Sequence, residues 1–167
     1  MGPPIKTVAV LVANPALSSI LSMTLAGASS LRVRPFDTQL ALMTYLHLAP
    51  ADLVVADFDS VPSRADRLAE DLRGDRAITS RDLQIIALAS ALTAETKMAS
   101  IHAGIDEIIM KPMSPKYLVE RVLARLAKKK PQQVIKAERR ASLRRRDWSS
   151  FGDNVIPLRR REPAPQA

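Results

Sequence analysis

The sequence contains no cysteine. A disulfide framework and a thiolate metal site are therefore excluded, and a reducing cytoplasm suits such a chain. Histidine is scarce as well: His47 and His102 are far apart and both fall in helix-like patterns, where a helix-face role outweighs a ligand role. Aromatic residues make up 4%, with a single tryptophan. No apolar run approaches the length needed to span a bilayer, and no basic-then-apolar leader opens the chain, so the expectation is a soluble cytoplasmic protein. What remains is ample: 47% of the 167 residues are hydrophobic, enough for the core of one ordinary domain plus an appendage.

Charge divides the chain sharply. Residues 1–127 hold 13 Lys/Arg and 13 Asp/Glu, whereas residues 128–167 hold 12 and 4, so the entire net charge of +8 lies in the last part. A neutral globular part with a basic extension calls for an anionic partner at the extension.

Five apolar runs alternate with five helical patterns. "KTVAVLVAN" (residues 6–14) is a β-branched run suited to a strand buried on both faces. Pro15 then opens a helix with Leu17, Ile20, Leu21 and Leu25 on one face, closing near Gly27. "LRVRPF" alternates as a second strand, and "DTQLALMTYLHLA" follows as a helix with Asp37 as its cap. "ADLVVADFD" (residues 51–59) is a third strand ending in acids, followed by a charge-laced helix over residues 64–73. "LQIIALAS" is the fourth strand, and Thr93 and Gly104 bracket the next helix. "DEIIMKP" is the fifth strand, and a last amphipathic helix starts from Ser114 and Pro115. Strict alternation predicts an α/β fold: a doubly wound five-stranded parallel sheet over residues 5–128, with function at the carboxyl ends of the strands. Residues 129–167, rich in Pro, Gln, Arg and Ser, are expected to be a basic tail, largely disordered without a ligand.

At those strand ends stand Asp57, Ala89, Ser90, Lys111 and Pro112. "VVADFD" and "IIMKP", at these places in a five-unit βα pattern, resemble the response-regulator receiver domain of the CheY-like, flavodoxin-like fold. The resemblance implies that Asp57 corresponds to the phospho-accepting aspartate of two-component phosphorelays. It implies too that Lys111 contacts the phosphoryl group, and that the Lys-Pro peptide bond is usually cis. It also exposes departures. The acidic pair that holds Mg²⁺ in the family falls on Val12 and Ala13, or on Ala13 and Asn14, and neither register supplies a carboxylate. The hydroxyl at the end of the fourth strand falls on Ala89, with Ser90 next to it, and the switching aromatic of the fifth strand falls on Ile108. Asp59 is a second carboxylate, placed by its position in the following loop. The expectation is a pseudo-receiver with no firm Mg²⁺ site and no catalytic residue, in which Asp57 survives as a carboxylate paired with Lys111.

The extension has its own chemistry. "RRASLRRRDWSSFGDN" (residues 139–154) sets Arg139, Arg140, Arg144, Arg145 and Arg146 before Asp147 and Trp148. Arginine pairs bidentately with the O6 and N7 of guanine, a carboxylate accepts from the opposite edge, and Trp stacks on bases. A guanine nucleotide suits that mixture. The Arg-x-x-Asp spacing at residues 144–147 is similar to the inhibitory cyclic di-GMP site of diguanylate cyclases. A receiver followed by an arginine-rich segment resembles the Cle group of CheY-like cyclic di-GMP effectors. That likeness implies a tail that binds the dinucleotide and a receiver that docks on the flagellar motor through the face between its fourth and fifth helices. Tyr117, Val119 and Leu123 are candidate contacts there, with core packing as their alternative. "GDNVIPL" (residues 152–158) is either an added strand or partner motif, or a linker with incidental hydrophobes. Two other readings stay open: an ordinary phosphorylatable response regulator, and nucleic-acid or membrane binding through clustered charge.

Overall fold

The structure is a computed structural model and describes residues 4–60, 63–128 and 155–157. Five parallel strands form the sheet: β1 (Lys6–Leu11), β2 (Leu31–Phe36), β3 (Leu53–Asp57), β4 (Gln84–Ala89) and β5 (Glu107–Met110). The helices between and after them are α1 (Pro15–Ala26), α2 (Gln39–Leu48), α3 (Ala65–Gly74), α4 (Ala94–Ala103) and α5 (Pro115–Ala127). A sixth strand, β6 (Val155–Pro157), lies antiparallel on β5, so the order across the sheet is β2-β1-β3-β4-β5-β6. Of residues 152–158, the Val155–Pro157 backbone forms this added strand, and the others lie outside the described residues.

Side-chain alternation along the strands explains the two layers. Val8, Val10, Val55, Ile86, Leu88 and Ile109 face a core closed by Leu21 and Leu25 of α1 and Leu118 and Val122 of α5. Ala9, Leu11, Val54, Ala56, Ile85, Ala87 and Ile108 face the opposite core, closed by Leu42 and Leu46, Leu68 and Leu72, and Ala103 of α2, α3 and α4. Both faces of β3 and β4 are buried, as continuous apolar runs require.

Helix boundaries follow local hydrogen bonding, with two corrections to the expectations. The cap of α2 is Thr38, whose hydroxyl accepts from the Ala41 amide at 3.2 Å, and not Asp37. On α1 the inward row is Leu17, Ser18, Leu21 and Leu25, while Ile20 is half exposed. The i, i+4 spacing of the three leucines sets that row, and Ile20 falls on its flank. Thr93 and Ser114 cap α4 and α5 as expected, and Gly104 ends α4 in the left-handed region at φ 79°. His47 hydrogen-bonds Asp75, and His102 is exposed on α4. Tyr117 and Val119 pack against the core, whereas Leu123 is partly exposed.

Candidate functional site

Three chain segments converge at the carboxyl ends of β3, β4 and β5. Asp57 is the last residue of β3 and is buried at 6% exposure. Its Oδ1 accepts from the Lys111 ammonium at 2.9 Å and from the Asp59 amide at 3.0 Å. That second bond turns the chain back on itself just after the strand, as an aspartate at a turn commonly does. Asp59 is thereby brought beside the same lysine, with its Oδ2 2.9 Å from Lys111 Nζ and 2.7 Å from the Ser90 amide that donates to it. The Lys111 amide donates to the Ala89 carbonyl at 2.8 Å, which fixes the base of the lysine, and the Lys111-Pro112 peptide bond is cis. On the other side, the Arg64 guanidinium lies 4.8 Å from the centroid of the Phe58 ring.

The result is one cation between two carboxylates. Burial works against the charge on Lys111, but hydrogen bonds to Asp59 and Asp57, with the attraction of both, overcome it and leave the ammonium pKa above its ordinary value. Asp59 is affected in the opposite sense. Burial pushes its carboxyl up, and the hydrogen bonds from Lys111 and Ser90 outweigh that and hold it below the usual carboxylate value.

The end of β1 contributes no acid. Val12 is buried, Ala13 is exposed, and the Asn14 carboxamide oxygen accepts from the Ala16 and Leu17 amides as the cap of α1. The receiver resemblance implies Mg²⁺ here, yet the donors do not fit it. The two carboxylates present are both engaged by Lys111, and no third lies with them among the described residues.

Asp57, Ala89, Ser90, Lys111 and Pro112 all lie at the carboxyl ends of β3, β4 and β5. Asp59 lies in the loop after β3, as expected, and the turn there brings its carboxylate onto Lys111. Ser90 contributes its backbone amide, and Ala89 its carbonyl. Ile108 is fully buried and faces the core of α2, α3 and α4. Arg139, Arg140, Arg144, Arg145, Arg146, Asp147 and Trp148 lie outside the described residues.

A second ionic cluster sits at the opposite end of β5. Glu107, at 0% exposure, receives Arg121 Nε at 2.7 Å and lies 3.5 Å from Arg125 Nε, both from α5. Asp106 receives Arg73 at 2.9 Å and has Arg125 within 3.5 Å, and Arg73 also donates to the Leu83 and Gly104 carbonyls. The hydrogen bond to Glu107 raises the pKa of Arg121 above the ordinary guanidinium value, over the opposing effect of burial. This cluster clamps α5 and α3 to β5 and was not foreseen.

A doubly wound parallel sheet thus gathers Asp57, Asp59 and Lys111 at the carboxyl ends of its strands. Solved structures share this fold. The chain is similar to a putative response regulator from Chloroflexus aurantiacus J-10-fl, at 22% identity and a TM-score of 0.65 over 74% of this chain and 99% of that one. It is similar to a CheY-like receiver domain protein from Methanospirillum hungatei JF-1, at 20% identity and a TM-score of 0.65 over 74% and 94%. An orphan response regulator of H. pylori matches at 19% identity and a TM-score of 0.62 over 74% and 99%. No sequence-family profile and no curated protein matches the chain. The chain has the fold of a CheY-like response-regulator receiver domain.

Proposed function

We propose that this protein is a non-catalytic signalling adaptor: a pseudo-receiver whose arginine-rich segment binds cyclic di-GMP and thereby controls docking on a protein partner such as the flagellar motor. The observation that carries it is the Lys111 bridge. The lysine that would meet an incoming phosphoryl group is already shared by Asp57 and Asp59, and Asn14, at the end of the β1 segment, is committed to capping α1. A receiver with this pocket needs another input, and the basic segment with its arginines, acid and tryptophan offers one. Arg144, Arg145 and Arg146 would engage phosphates and guanine edges, Asp147 the guanine hydrogens, and Trp148 a base face.

Titration calorimetry on the full chain tests this through Asp147→Ala. Simple electrostatics makes that variant bind any anion more tightly. Guanine recognition makes it bind cyclic di-GMP about tenfold or more weakly, for a bidentate contact of roughly 1–3 kcal/mol, with cyclic di-AMP little changed. Tighter cyclic di-GMP binding by Asp147→Ala would refute the guanine reading. The 2.9 Å approach of Lys111 to Asp57 favours a second reading, a phosphorylatable single-domain response regulator. Stoichiometric transfer from a small phosphodonor would establish it.

A further inference from the structure

The two outer edges of the sheet are protected unequally. β2 carries exposed Arg32 and Arg34 and, at Pro35, a residue with no N–H to offer another strand. Charge and proline on an edge are the usual guards against strand addition. β5 has neither. Its Glu107, Ile108 and Ile109 are fully buried, and the one charge among them is turned inward to Arg121 and Arg125.

What closes the β5 edge is β6, in the register Ile109↔Val155, Ile108↔Ile156 and Glu107↔Pro157. Three residues, one of them without an N–H, contribute only a few ladder hydrogen bonds of about 1 kcal/mol net each. So short a strand has little of its own pairing energy to resist replacement by another extended segment.

We infer that the outer edge of β5 is a strand-addition surface for an extended protein segment with two β-branched residues followed by proline, running antiparallel to β5. Val155–Pro157 of this chain is its resident occupant, and a partner segment binds there by displacing it.

The test uses the isotopically labelled full chain, its Ile156→Asp variant, and a synthetic peptide of residues 152–158. Ile156→Asp should shift the amides of residues 107–109 and speed their hydrogen exchange by about tenfold or more. Millimolar peptide should return those amides toward their wild-type positions, while wild-type chain at the same peptide concentration stays unchanged. A second variant uses the absence of cysteine. Residues 108 and 156 are directly opposed, and Cα atoms of opposed antiparallel residues, about 4.5–5.5 Å apart, fall within disulfide range. Ile108→Cys/Ile156→Cys should crosslink within one chain. The inference is overturned if Ile156→Asp leaves the amides of residues 107–109 in place. It is overturned equally if the peptide fails to move the variant's amides, if wild type responds as strongly, or if the cysteines join only between chains.

Discussion

Replacing Lys111 by Met removes the cation from the Asp57–Lys111–Asp59 bridge while keeping most of the side chain's apolar stem. Breaking a fully buried pair costs about 3–5 kcal/mol, and breaking an exposed one about 0–1 kcal/mol. The Asp57 and Lys111 side chains are 9% and 20% exposed, and the Asp59 side chain 41%, so the case lies between these limits. We expect a loss of about 2 kcal/mol at neutral pH, or a fall in Tm of roughly 8 °C for a domain of this size. Most of the loss should come from stranding Asp57. Asp57→Asn in the Lys111→Met background should therefore recover at least half of it, while Asp57→Asn alone, which leaves Lys111 with Asp59, should change little. The pH dependence has a definite sign. Asp59, lowered in the fold, contributes stability above the ordinary carboxylate pKa and loses it as pH falls through the lowered value. Lys111, raised in the fold, contributes below the ordinary lysine pKa and loses it as pH rises through the raised value. The gap between wild type and Lys111→Met should thus be widest between about pH 5 and 9 and close on acidification. Urea denaturation of the four chains across that range is the assay. A Lys111→Met variant within about 0.5 kcal/mol of wild type, or no recovery by Asp57→Asn, would refute the reasoning.

Other consequences are direct. Glu107→Ala removes the buried carboxylate that Arg121 and Arg125 share and should cost about 3 kcal/mol in urea unfolding, with Glu107→Gln milder. Gly104→Ala should cost about 1–2 kcal/mol, because φ is 79° and the added Cβ would lie 3.2 Å from Arg73 side-chain atoms. Millimolar Mg²⁺ should leave the amide spectrum around Asp57 nearly unchanged, and a small phosphodonor should give no stoichiometric adduct by intact mass.

The strands were legible because residues buried on both faces leave continuous apolar runs, and β3 and β4 are such runs. Caps at Thr93 and Ser114 were legible because each hydroxyl acts within three residues of its own position. At Asp37-Thr38 two good capping types stand side by side, and only the geometry chooses between them. Asp57 and Lys111 were visible through their places at strand ends. Asp59 was not, because its role depends on a turn made by Asp57 and on a lysine far along the chain. The Glu107 cluster stayed hidden for a similar reason: a lone acid opening an apolar strand gives no sign of the arginines that a later helix will bring to it. Val155–Pro157 is too short for periodicity to separate a strand from a linker.

The antiparallel run of β6 sets where the described chain returns to the sheet. Lys128 leaves α5 shortly after Arg125, whose side chain reaches Asp106 and Glu107 at the start of β5, and Val155 re-enters beside Ile109, close to Lys111. The helix and the added strand thus meet β5 at its two ends, α5 through the Arg125 contacts at Asp106 and Glu107, and β6 through the pairing of Val155 with Ile109. One four-residue strand therefore joins the ionic cluster at its start to the Asp57–Lys111 site just past its end.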